Sequence, residues 1–238
     1  MNRSTHVNQE LTQLSYETCK NRFDSEGIAK IYSTRHVHSK KGKREMACIK
    51  QALMTVKKGA WVLDLPCGTG RLSYFIHQLG FRVTGADYSS HMLEYAKKNP
   101  SANVVYHPIE FEQQDVMSIN HPDNTFDATV CNRLFHHYPT SELRQKALKE
   151  LARITKGPII VSFFNSYSLS AIWSKIKNTL RNKTPYDRVP ISFYVFKRDI
   201  EACGLQIEKT FYSNYGISPQ TYVRLIKCKL RAKNANSR

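Results

Sequence analysis

"WVLDLPCGTGRLSYF", residues 61–75, runs from an apolar segment to an acid, Asp64, and then through a tight turn holding Gly68 and Gly70. From about Gly70 to Leu79 the apolar spacing predicts a helix, ended by Gly80. A strand, a glycine-rich turn and a helix in that order usually cradle phosphate on the helix N-terminus. Here a carboxylate stands at the mouth of the turn, where a phosphate would be repelled.

The same alternation continues outward. "FRVTGA" (81–86) reads as a strand leading to Asp87, and Ser89 or Ser90 caps the following helix "HMLEYAKKN". "EFEQQDV" (110–116), "FDATVCN" (126–132) and "GPIIVSFF" (157–164) are further strands. The helix "SELRQKALKELARIT" precedes the last of these, with Leu143, Ala147, Leu148 and Leu151 on one stripe. The strands "LQIEKTFYS" and "TYVRLIKCKL" have no helix between them and predict an antiparallel hairpin at one sheet edge. The pattern predicts an α/β fold: a doubly wound, seven-stranded, mostly parallel sheet covered by helices on both faces.

In such a sheet, ligands bind beyond the carboxyl ends of the strands, where the strand order reverses. Gly68 and Gly70 let the backbone approach a ligand there. Asp87 stands 23 residues after Asp64, the usual position for holding ribose hydroxyls. Asp115 ends the third strand, and beside the backbone of Val116 it can accept from the exocyclic amine of an adenine. Each acid also suits a helix cap or a turn. Three acids around an adenosine-sized cleft do not suit a dinucleotide, whose phosphates would meet Asp64 at about 4–6 Å. The third glycine of the dinucleotide fingerprint is absent, with Ser73 in its place. A nucleoside without phosphate and with cationic centres fits better.

On these stretches the chain resembles the class I S-adenosylmethionine-dependent methyltransferases, over roughly residues 45–165. "VLDLPCGTGR" is similar to the family's first motif, "VTGADYSSHMLEYA" to its second, "QQDV" to its third and "FDATVCNRLFHH" to its fourth. The resemblance implies S-adenosylmethionine as donor, S-adenosylhomocysteine as product, and a cofactor site of Asp64, Cys67, Gly68, Gly70, Asp87, Tyr88, Met92, Asp115, Val116 and Asn132. Asp87 would hold the ribose, Tyr88 and Met92 would flank the adenine, and Asn132 would line the methyl-transfer side. Pro66 replaces the first of the family's three alternating glycines, which stiffens the loop and removes an N–H donor. His136 or His137 is the candidate general base for a hydroxyl acceptor, and packing or capping is the alternative for both. Cys67 and Cys131 also read as small buried apolar side chains.

The resemblance further implies that residues 1–50 form a helical segment covering the cofactor, with Tyr32 and Arg35 approaching its carboxylate. Residues 51–230 would then be the methyltransferase domain, carrying a helical insertion at about 166–188, and 231–238 a disordered basic tail.

The formal net charge is +17 in 238 residues. Residues 61–165 carry 10 basic and 10 acidic side chains, so the whole excess sits on the flanks. A basic surface attracts anionic lipid, glycan or nucleic acid, or it only solvates the chain. In the insertion Leu169, Ile172, Trp173, Ile176 and Leu180 share a stripe, with Lys175, Lys177, Arg181 and Lys183 around it. Such a helix lies in a membrane interface, closes over an acceptor, or packs on the sheet. The acceptor expected is a small molecule or an anionic lipid or glycolipid, with RNA second because few aromatics interleave the basic residues. A non-catalytic relative that binds S-adenosylmethionine is the remaining alternative. Six scattered cysteines without a C-x-x-C pair argue against a zinc site. No N-terminal apolar stretch reads as an export signal, so the expected location is cytoplasmic, at most peripheral to a membrane.

Overall fold

The structure, a computed structural model, describes residues 16–34, 39–99, 108–180 and 189–228. Its strands are β1 (Trp61–Asp64), β2 (Arg82–Asp87), β3 (Glu110–Gln113), β4 (Ala128–Cys131), β5 (Ile159–Phe164), β6 (Leu205–Tyr212) and β7 (Gln220–Lys227). They form one seven-stranded sheet in the order β3-β2-β1-β4-β5-β7-β6. The first five are parallel, and β7 runs antiparallel to both β5 and β6. The terminal pair is therefore the expected hairpin, with its second strand turned inward. Burial explains the choice: β7 is buried along most of its length, whereas β6 alternates and tolerates the edge.

The helices are α1 (Glu26–Thr34), α2 (Lys40–Leu53), α3 (Arg71–Gln78), α4 (Ser90–Lys97), α5 (Ser141–Ile154), α6 (Leu169–Leu180) and α7 (Phe193–Ala202). Residues 16–23 are also helical. Successive strand residues feed opposite faces, as a period of two requires. Leu63, Ile159 and Val161 join one core with Leu148, Leu151 and Phe196, while Val62 and Ile160 join the other with Ile49, Leu53 and Ile76. Ser89 caps α4, its hydroxyl accepting from the Met92 N–H at 3.3 Å, and Thr140 caps α5 in the same way. Arg144 and Asp199 form a buried ion pair at 2.7 Å that ties α5 to α7. The Arg144 guanidinium also donates to the carbonyls of Tyr138 and Pro139, which fixes the segment after β4.

Residues 114–116 were expected to extend the third strand, but β3 ends at Gln113. The Gln114 side chain accepts from the Asn120 N–H at 2.9 Å, and Asp115 accepts from the Met117 N–H at 2.8 Å. These local side-chain bonds turn the chain where the alternating pattern would have continued.

Register aligns Asp64 with Gly85 across β1 and β2, and Asp87 with Gln113 across β2 and β3. Gly85 is required by contact. A Cβ there would lie 2.5 Å from Cε1 of Phe111 and 3.0 Å from Oγ of Ser73. Gly85→Ala is expected to destabilise the protein by about 1–3 kcal/mol through overpacking. Adding Phe111→Leu should recover most of the loss in a denaturant titration. No recovery would mean that the ring is not the obstacle.

Candidate functional site

The loop after β1 is tied to its neighbour strand rather than left open for an anion. The Cys67 N–H donates to the Ala86 carbonyl at 2.7 Å, and the Gly68 N–H donates to Oδ2 of Asp87 at 2.8 Å. Asp87 accepts through its other oxygen from the Ser89 N–H at 3.0 Å. Gly68 and Gly70 have φ of 54° and 78°, the left-handed region that favours glycine. A glycine-loop N–H that would meet a phosphate is thus committed to a carboxylate of the chain itself.

Asp64 is fully buried beneath this loop instead of standing on the cavity wall. Its Oδ2 accepts from the Ser73 hydroxyl at 2.7 Å, which accounts for the serine in the third glycine's place. Its Oδ1 is buried and has no hydrogen-bond partner among the described residues. Burial pushes the Asp64 carboxyl up to about 7, opposed by the Ser73 bond and by Arg71. Burial likewise raises Asp87 to about 6, against three backbone N–H bonds. Two carboxylates one strand apart are held at pKa values where a nearby cation would decide their charge.

A cavity opens over the strand ends. Cys67, Gly68, Asp87, Tyr88, Met92, Asp115, Val116, Asn132, His136 and His137 all line it, together with Arg71, Arg133 and Phe164. Gly70 lies off the wall, at the N-terminus of α3. Arg35 lies outside the described residues, although Tyr32 from α1 is on the wall. Tyr16, Lys20 and Phe23 complete the cover from the helical segment 16–23.

That segment is latched to the third acid. The Tyr16 hydroxyl donates to Oδ1 of Asp115, and the Lys20 ammonium lies 3.3 Å from Oδ2. The same ammonium sits 4.0 Å from the Tyr88 ring centroid. Burial and Asp115 push the Tyr16 phenol up, so it stays protonated and donating. Sequence reading left Tyr16 and Lys20 out, because residues 99 and 95 positions from Asp115 share no motif with it.

On the opposite wall, the Asn132 carbonyl oxygen accepts from the Ser162 hydroxyl at 2.9 Å, which orients the amide. His136 is buried and stacked on Phe164, ring centroids 3.9 Å apart and planes 7° apart. His137 is half-buried and meets the edge of Phe23 at 5.0 Å. Burial pushes the thiols of Cys67 and Cys131 well up, which keeps them as inert apolar groups. Among the described residues no cluster of three His, Cys, Asp or Glu side chains is placed to hold a metal ion.

The comparisons agree with this architecture. Residues 62–157 match the family described as "Methyltransferase domain". A demethylmenaquinone methyltransferase of Desulfitobacterium hafniense (strain Y51) is 32% identical over 120 residues, covering 48% of this chain and 46% of that protein. A Mus musculus protein named "Probable tRNA methyltransferase 9B" is 30% identical over 106 residues, covering 44% of this chain and 22% of that protein. This chain therefore spans about half or less of the length of these relatives. Among solved structures, magnesium protoporphyrin IX methyltransferase from Synechocystis PCC 6803 with bound S-adenosylhomocysteine superposes with a TM-score of 0.73 at 18% identity. That match covers 89% of this chain and 99% of the other. Residues 62–157 match the methyltransferase-domain family, and the sheet built around them has the fold of the solved class I S-adenosylmethionine-dependent methyltransferases it superposes on.

Proposed function

We propose that the protein transfers the methyl group of S-adenosylmethionine to a small-molecule or anionic lipid acceptor presented at a membrane surface. One observation carries the donor half of this reading: two buried carboxylates, Asp64 and Asp87, underlie a glycine loop whose Gly68 N–H is already taken by Asp87. The carboxylates favour a cation, and the loop N–H that would meet a pyrophosphate is already taken. The residues fit the donor in one further respect: a Cβ added at Gly68 would meet nothing within 4 Å, leaving room above the loop.

When bound, S-adenosylmethionine supplies an electrophilic methyl group on a sulfonium. The chain's part is to orient and desolvate. Asp87 holds the ribose hydroxyls, and Tyr88 and Met92 bracket the adenine. Asn132 and the 3-10 turn Phe135–His137 border the acceptor side. Holding donor and acceptor in line contributes on the order of 7–11 kcal/mol. For a hydroxyl acceptor, His137 or His136 takes the proton; a carboxylate acceptor needs no base. Calorimetric titration tests the donor: S-adenosylhomocysteine should bind and NADH should not. The reverse result would remove the reading. Mass spectrometry of an extract incubated with labelled S-adenosylmethionine would then identify the acceptor, and consumption without a methylated product would exclude transfer.

The acceptor half is supported by α6. Leu169, Ile172, Trp173 and Ile176 on that helix are 64%, 45%, 70% and 47% exposed, with Lys175 and Lys177 exposed beside them. A Trp-bearing apolar face with a basic rim suits an anionic bilayer. The helix begins five residues after Phe164, on the cavity wall, so a docked membrane would lie near the cavity mouth. No helix among the described residues is long and apolar enough to cross a membrane. The double variant Trp173→Glu/Ile176→Glu is expected to reduce co-sedimentation with phosphatidylglycerol vesicles by about tenfold or more, since each side chain contributes about 1.5–3 kcal/mol on burial. Binding of S-adenosylhomocysteine should be unchanged. Failure of the wild type to bind vesicles, together with a salt-dependent tRNA gel shift, would favour an RNA acceptor instead.

A further inference from the structure

The cavity wall that carries Asn132 and Arg133 is held from behind by two buried polar side chains. Ser162 is the lone polar residue of β5, "IIVSFF", and Gln220 opens β7; both are fully buried, and neither lines the cavity. The antiparallel register brings them together, since Phe164 pairs with Gln220 and Ser162 with Tyr222. The Ser162 hydroxyl accepts from the Arg133 N–H at 2.8 Å and from Nε2 of Gln220 at 2.8 Å. A hydroxyl has one proton to give, and here it goes to Oδ1 of Asn132 at 2.9 Å. Nε2 of Gln220 stands 3.5 Å from the same Oδ1. With its oxygen drawn back into the sheet, the Asn132 amide turns its N–H groups toward the cavity that it lines. One hydroxyl thus sets an amide and a stretch of backbone 29 and 30 residues away.

Arg133 needs such an anchor. Its φ is 61°, a left-handed conformation costly for a residue with a side chain. Its guanidinium is tied to Glu45, buried on α2, with Nε at 3.1 Å from Oε1, so the Ser162 bond fixes the other end of the residue. Packing alone does not account for the buried pair. A hydroxyl and an amide are costly to bury, and two apolar side chains of similar volume would fill the same space. The cost is not fully recovered, because Oε1 of Gln220 is buried without a hydrogen-bond partner among the described residues.

We propose that Ser162 and Gln220 are positioning residues: they touch no ligand, and they set Asn132 and Arg133 in the arrangement that binds S-adenosylmethionine. The inference rests on the donor reading given above.

Calorimetric titration with S-adenosylhomocysteine is paired with thermal unfolding for the wild type, Ser162→Ala, Ser162→Thr and the double variant Ser162→Ala/Gln220→Leu. Ser162→Ala is expected to bind about tenfold or more weakly, as two hydrogen bonds to the wall are lost. Ser162→Thr keeps the hydroxyl on a side chain suited to a strand and should bind within about threefold of the wild type. The double variant is apolar at both positions. It should unfold at or above the temperature of Ser162→Ala and still bind weakly, so that affinity follows the hydroxyl while stability does not. Wild-type affinity in Ser162→Ala would overturn the positioning role and leave the donor reading standing. So would a Ser162→Thr variant that unfolds like the wild type yet binds as weakly as Ser162→Ala, or affinity and unfolding temperature that fall and recover together across the series. No binding by the wild type would remove the donor reading and this inference with it.

Discussion

Asp87→Ala is expected to lower the affinity for S-adenosylhomocysteine by about 100-fold or more. Asp87 does two things at once. Its oxygens accept from the N–H groups of Gly68 and Ser89, which sets the glycine loop against β2. In the proposed complex the same carboxylate takes the ribose hydroxyls. Charge-assisted hydrogen bonds contribute about 1.5–3 kcal/mol each, so two lost ligand bonds are enough for the effect. Asp87→Asn separates the two jobs in part, since an amide keeps one oxygen for Gly68, gives up the bond from Ser89 and loses the charge. It should retain most of the wild-type thermal stability and still bind at least about tenfold more weakly. Wild-type affinity in the alanine variant, measured by calorimetry, would show that this carboxylate does not touch the ligand.

The second large effect concerns Asp64 and has opposite signs on stability and on binding. Burial holds its folded pKa at about 7, well above the ordinary carboxylate value of 3.8. Between those values the folded state binds more protons than the unfolded state, so stability falls as pH rises through that window. The contribution is fully present below about 3.8 and is gone above about 7. A shift of this size corresponds to on the order of 4 kcal/mol. Asp64→Asn removes the buried charge and should stabilise the ligand-free protein at pH 8, most visibly relative to pH 5.

Binding should respond in the other direction. A cationic ligand favours the ionised carboxylates, so the affinity of the wild type for S-adenosylmethionine is expected to rise as pH increases through about 6 and 7, and then level off. In Asp64→Asn the step near 7 should vanish, with affinity at pH 8 reduced by about tenfold or more. Uncharged 5′-methylthioadenosine should show neither effect. If both proteins had the same pH profile for S-adenosylmethionine, Asp64 would not be sensing the ligand's charge.

Much of this was legible in the chain because its cause is local. Strand alternation, the glycines of the 65–70 turn, the cap at Ser89 and the acids at strand ends all follow from neighbours a few residues apart. The amphipathic stripe of α6 was equally visible, but the same periodicity describes a helix packed on a sheet and one turned outward. Only the 70% exposure of Trp173 distinguishes them. Glu45 shows the opposite case. In a run of basic residues it reads as a solvated acid, yet two distant arginines, one at the start of α3 and one just after β4, make burial tolerable.

The chain by itself determined the order of strands and helices, the glycine turn, and the acids at the ends of the strands that β1 and β2 form. Periodicity and turn chemistry act within about ten residues and need no partner from elsewhere. Tertiary structure alone decided that Asp64 lies under the loop, that Tyr16 latches onto Asp115, that Arg71 and Arg133 converge on Glu45, and that β7 rather than β6 pairs with β5. Those outcomes depend on which side chains meet once the sheet closes, at separations of up to 99 residues, and no spacing rule encodes contacts that only the closed sheet creates.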